Sequence, residues 1–86
     1  MFEWDDANVD HIATHGISPE EAEEAFADRR RIPMPAYALR GERRLAFVGM
    51  TDDRRLIFVA FTRRGQAIRV VAARDASPKQ RRRHRK

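Results

Sequence analysis

The chain has 86 residues, 36% charged and 42% hydrophobic with no cysteine, enough for one domain near the lower limit for a self-sufficient core, and it excludes disulfide staples and thiolate-bound metals. Its net charge of +5 hides a division: residues 1–28 hold nine acids and no Lys or Arg, residues 29–86 hold all 18 bases and four acids, so the parts stand at −9 and +14. The acidic start MFEWDDANVD lacks the apolar stretch of a secretory signal and no apolar run approaches membrane-spanning length, so a single cytoplasmic domain over residues 1–86 is expected.

Phe2-Glu3-Trp4 reads as a short extended segment with both aromatics on one face. Asp5 or Asp6 then starts a helix, since Asp suits an N-cap and acids suit the first turn. Val9, Ile12, Ala13 and Gly16 form one stripe through Asp5 to His15, and Gly16 fits the stop. Ser18, Pro19 and Glu21 supply the N-cap, N1 and N3 of a second helix, closed as a capping box, with Ala22, Ala25 and Phe26 on its buried face and its end near Asp28.

From Asp28 to Glu42, three arginines followed by Pro33 and Pro35 forbid a regular helix and disfavour a central strand, which leaves a loop or irregular edge segment. Leu45 to Met50 and Leu56 to Thr62 read as strands joined by a turn at Thr51–Arg54, and the wholly apolar Leu56 to Phe61 belongs at the sheet centre. Gly65 supplies the positive φ of a hairpin leading into a last strand, Ile68 to Arg74. Ser77-Pro78 repeats the earlier cap and opens a third, strongly basic helix. The expected order is β-α-α-β-β-β-α, an α+β fold with helices packed on an antiparallel sheet.

The charge division steers the C-terminal part toward a polyanion, and the final hairpin with its tail is the natural RNA-facing surface. Neutralisation of one part by the other within the fold is the plainer alternative. In the tail, Lys79, Arg81, Arg82, Arg83, Arg85 and Lys86 carry six charges with no acid and no interleaved aromatic. They suit RNA binding through phosphates, without base stacking.

Taken together, Phe2-Glu3-Trp4-Asp5, His15-Gly16-Ile17-Ser18, Glu42-Arg43, Thr62-x-Arg64-Gly65 and Ile68-Arg69-Val70-Val71-x-Ala73-Arg74 resemble the BrnT family over nearly the whole chain. The resemblance implies a RelE-like fold and a metal-independent ribonuclease toxin that blocks translation. It also implies neutralisation by a BrnA-type antitoxin, whose ribbon-helix-helix domain would carry a heterotetramer onto operator DNA. His84 lies near the place where the family tail often ends in Tyr.

Metal-free RNA cleavage, in which the ribose 2′-OH attacks its own 3′-phosphate, needs a phosphate clamp, stabilisation of the developing charge, and proton transfer. Arginine is the natural clamp because it is planar, permanently charged and bidentate. Arg64, Arg69 and Arg74 are the candidates. Five residues apart, Arg69 and Arg74 point to opposite faces of an unbroken strand, so a shared site requires Arg74 to lie beyond the regular strand. His15 and His84 are the proton-transfer candidates, with Tyr37 and Glu42 behind them. His11 and His15 share a helix face but lack a nearby third ligand, and no metal or cofactor is expected. A basic module that binds nucleic acid or an acidic protein without cutting, or a degenerate toxin kept for its antitoxin complex, would use the same charges.

Overall fold

A computed structural model of the chain describes residues 1–85; Lys86, counted above in the tail, lies outside the described residues. The elements are α1 (Asp6–Ala13), α2 (Pro19–Ala27), β1 (Ile32–Leu39), β2 (Glu42–Met50), β3 (Leu56–Arg64), β4 (Ala67–Asp75) and α3 (Pro78–Arg85). The four strands form one antiparallel sheet in the order β1-β2-β3-β4, so the fold is mixed α+β. No helix among the described residues is long and apolar enough to cross a membrane.

All three helices begin as their side chains dictate. Asp5 caps α1 in a box closed by Asn8, Ser18 caps α2 in a box closed by Glu21, and Ser77 and Gln80 exchange the equivalent bonds at α3. Each box satisfies N–H groups that the first helical turn leaves without partners. The expected first strand is reduced to one parallel bridge, Phe2 with Ile68, which covers the outer edge of β4. Asn8, 4% exposed, fastens this segment: its Nδ2 donates to the carbonyls of Glu3 at 2.9 Å and Val70 at 3.2 Å.

The proline-containing stretch forms the edge strand β1, with a register shift between Met34 and Tyr37. An edge position tolerates Pro33 and Pro35 because one side of the strand needs no ladder donors. Arg40 and Gly41 turn into β2 with φ of 52° and 80°, the positive pair of one class of two-residue hairpin loop. The Gly65-Gln66 loop between β3 and β4 is of the other class, with a positive φ, 60°, at Gly65 alone.

The core lies between one face of the sheet and the two N-terminal helices. Ile57, Val59 and Phe61 of β3, Phe47 of β2 and Ile68, Val70 and Ala73 of β4 pack with Ile12, Ile17, Ala22 and Ala25. Phe26 meets Phe47 and Phe61 edge-on, each ring centroid 5.2 Å away. Arg55, just before β3, binds the helix junction to the sheet. Its guanidinium donates to Asp75 at 2.8 Å and to the Gly16 carbonyl at 2.8 Å, and reaches Glu21 at 3.3 Å.

α2 crosses β2 so closely that a Cβ on Gly49 would clash with the Ala25 carbonyl oxygen. Gly49→Ala must therefore push the helix off the sheet, which costs about 1–3 kcal/mol and lowers the melting temperature by roughly 5–20 °C. Thermal unfolding followed by circular dichroism measures it, and an unchanged melting temperature would contradict the close approach.

Candidate functional site

Asp28, the residue that ends α2, is the meeting point of three segments. Its Oδ1 accepts the Arg30 N–H at 2.9 Å, and its Oδ2 accepts the Met50 N–H at 2.9 Å and lies 2.8 Å from His84 Nε2. The chain turns sharply after α2, and the carboxylate satisfies donors that the turn and the end of β2 would otherwise leave unmet. Burial works to raise the Asp28 pKa, but the bonds from Arg30, His84 and Met50 outweigh it and hold the carboxyl below the ordinary range. His84 is 7% exposed, the only residue of α3 that is fully buried.

Beside this pair lies a cavity of about 230 Å³ lined by Met50, Arg54, Arg55, Leu56, Arg81, His84 and Arg85. Arg81 and Arg85 are four apart on α3, so one helical face presents both. Arg54 enters from the turn between β2 and β3, held at a positive φ of 65° and closed by its N–H bond to the Thr51 carbonyl. Among the described residues, Arg54, Arg81 and Arg85 have no carboxylate within salt-bridge distance, whereas Arg55 is committed to Asp75 and Glu21. The cavity thus combines three guanidiniums without a carboxylate in contact among the described residues, Arg81 meeting the field of Asp75 only at longer range, with an imidazole oriented by a carboxylate. Such a set can hold a phosphate and move a proton.

The arginines of the last hairpin are arranged differently. Ala60 pairs with Ala72 while Phe61 pairs with Val70, so Val71 is an extra residue and β4 carries a bulge. The bulge reverses parity: Arg69 sits opposite Thr62 and Arg74 opposite Phe58, and both project from the sheet face away from α1 and α2. The expectation that Arg74 must lie beyond the strand is corrected accordingly, since β4 runs to Asp75. Arg64 projects from the same face, but six residues of β3 separate its row from that of Arg74, roughly 20 Å at the strand rise. One phosphate cannot touch all three.

Their partners differ as well. Arg69 donates to Asp5 at 2.9 and 3.2 Å and lies 3.5 Å from Glu3; these bonds, the Asp5 bond foremost, hold the guanidinium firmly protonated and lower the Asp5 pKa. It secures the start of α1. Arg64 is exposed, 3.8 Å from Glu3 and 3.9 Å from Glu42. Arg74 lies over the Phe58 ring, 4.5 Å from its centroid, one row from the Leu56 that lines the cavity.

His15 is exposed at the α1–α2 junction, where its carbonyl accepts from Arg55, and it is outside the cavity lining. Lys79, Arg82 and Arg83 point to solvent from α3. Among the described residues no three His, Cys, Asp or Glu side chains gather closely enough to hold a metal ion. Sequence reasoning did not single out Asp28, Arg54 or Arg55. The available signals were an Asp at a helix end ahead of three arginines, and paired arginines directly after an Asp-Asp turn.

An α+β fold with a cationic cavity beside a buried histidine held by an aspartate defines a small basic protein whose site chemistry suits a polyanion. The chain matches, over residues 4–80, the family described as the ribonuclease toxin BrnT of type II toxin–antitoxin systems, and it belongs to that family. A search of curated proteins gave no match. Family membership makes it a ribonuclease toxin of such a pair, with RNA as substrate and an antitoxin as partner.

The lowered pKa of Asp28 has a direct consequence for acid stability. A carboxyl depressed in the folded state stabilises the protein above its unfolded value near 3.9, and that contribution disappears as pH falls through the folded value. Asp28→Asn is therefore expected to destabilise the protein at pH 7, and the gap from wild type should narrow as pH drops below about 4. Melting curves between pH 7 and pH 3 measure this, and a gap independent of pH would contradict the ionised bond network at Asp28.

Proposed function

We propose that the cavity between α3 and the β2–β3 turn is the RNA-cleaving site, and that cleavage proceeds without a metal by attack of the ribose 2′-OH on the adjacent phosphate. The observation that carries this reading is the buried His84, held by the partly buried Asp28 at 2.8 Å, in the lining of a cavity with three arginines that contact no carboxylate among the described residues. Arg54, Arg81 and Arg85 hold the phosphate and offset charge as its oxygens become more negative. Asp28 fixes one ring nitrogen of His84, leaving Nδ1 to accept the 2′-OH proton. The 2′-oxygen–phosphorus bond forms, the phosphorus–5′-oxygen bond breaks, and water protonates the departing oxygen. The products are a 2′,3′-cyclic phosphate and a 5′-hydroxyl.

Arg74 on Phe58 holds the neighbouring nucleotide, and Lys79, Arg82 and Arg83 add affinity through the backbone. Arg69 serves the fold, and Arg64 lies on the same face at its far end. Cutting messages would block translation, and a BrnA-type antitoxin with a ribbon-helix-helix domain would neutralise the activity. The burial of His84 favours a second reading, in which the pair only latches α3 and the basic surface binds RNA without cutting it.

His84→Gln separates the two, because a glutamine amide reaches Asp28 as Nε2 does but cannot take a proton. On the first reading, cleavage of a labelled RNA falls about 10²–10⁴-fold while melting temperature and RNA affinity stay near wild type. Undiminished cleavage by that variant, or an inert wild type, would refute the catalytic role. The same panel includes Arg74→Ala, expected to weaken RNA binding and reduce its salt slope by about one. Arg69→Ala should instead lower the melting temperature.

A further inference from the structure

The helix-covered face of the sheet is not covered to its end. Beyond the last turn of α2, a groove of about 220 Å³ opens, lined by Phe26, Pro33, Leu45, Phe47, Phe61 and Arg63, with Arg31 on its other side. We propose that this groove docks an acidic, amphipathic segment of the antitoxin, seating one or two of its aliphatic side chains. The proposal rests on the toxin–antitoxin reading for the identity of the partner, and its chemistry follows from the groove.

The lining is apolar and small. It is below the volume usual for a small-molecule site, but it has the scale of the anchor pockets that accept side chains from a partner segment. The faces of the aromatic rings are already occupied: Arg31 lies 5.3 Å above Phe26 and Arg63 lies 6.0 Å from the Phe61 centroid, and the rings meet each other edge-on. With an arginine over each of Phe26 and Phe61 and the rings packed edge-on, stacking of a nucleobase would have to displace an arginine, so an aliphatic occupant fits better than RNA.

The rim supplies the charge. Arg31 and Arg63 flank the opening, and Arg43 lies beyond Leu45 on the same face of β2, all three exposed. Among the described residues none has a carboxylate within salt-bridge distance, although Glu3, Asp5, Glu21 and Glu42 are engaged with other arginines. An apolar floor ringed by unpaired cations is complementary to a segment with aliphatic anchors and flanking carboxylates. The groove is separate from the cavity beside His84, with which it shares no lining residue.

The test uses a synthetic helical 14-residue peptide with leucines at i, i+3 and i+4 and glutamates elsewhere, titrated calorimetrically into the full chain. The peptide is expected to bind, and Arg63→Glu and Arg43→Glu, both solvent-facing changes, should each weaken it about tenfold or more. Replacing the leucines by serine should abolish binding. Arg81→Glu and Arg82→Glu on α3 should leave it within about twofold, as rim charges far from the site do. The two groove variants should cleave RNA at the wild-type rate and bind less tightly the antitoxin from the adjacent reading frame.

Binding that ignores the groove variants and falls with the α3 variants would overturn the proposal. So would loss of RNA binding in Arg63→Glu with peptide affinity intact, which would assign the groove to RNA. Peptide affinity is read without any cleavage, so an inactive nuclease would leave this result standing.

Discussion

The Asp28 carboxylate is the contact on which the arrangement depends. It ends α2, holds the last N–H of β2 and binds the imidazole of α3, so it joins three separate segments at one partly buried point. Without it, α3 would have a single anchoring side chain, His84, with no partner, and a helix with Lys79, Arg81, Arg82, Arg83 and Arg85 repels itself. The bond keeps a self-repelling helix against the sheet and at the same time orients the imidazole. Stability and the proposed chemistry are thus coupled through one residue.

The charge division of the chain is resolved by selective neutralisation. Carboxylates of the acidic N-terminal part take Arg55, Arg64 and Arg69, through Glu21, Glu3 and Asp5, and Asp28 takes His84. Arg54, Arg74, Arg81 and Arg85 are left without carboxylate partners among the described residues. Internal neutralisation, the plainer expectation raised by the composition, holds for the arginines that fasten the helices to the sheet, whereas those at the cavity and along the adjoining sheet face are left for a partner of opposite charge on the proposed function. On that proposal, association with RNA runs through the second group and is expected to be strongly salt-dependent.

Much of the fold was legible because local rules act alone at its boundaries. Ser18-Pro19, Ser77-Pro78 and Asp5 start helices where capping chemistry requires, and the apolar run of β3 lies at the sheet centre. The edge strand was harder to read, because Pro33 and Pro35 suppress the alternating pattern that marks a strand and only pairing with β2 reveals it. At the site, His84, Arg81 and Arg85 could be picked out by residue type alone. Asp28 and Arg54 could not, since their roles arise from contacts between segments distant in sequence. Parity also misled for Arg69 and Arg74: a one-residue bulge at Val71 leaves no trace in the hydrophobic pattern, yet it turns both side chains to one face.

On the proposed function, RNA is gripped at the His84 cavity rather than at the hairpin tip. Titrating isotope-labelled protein with a cleavage-resistant 2′-O-methyl oligonucleotide, and following backbone and imidazole resonances, tests it most directly. The largest shifts are expected at Met50, Arg54, Arg81, His84 and Arg85, extending to Arg74. Shifts confined to Arg64, Gly65 and Arg69, with the His84 ring unmoved, would contradict it.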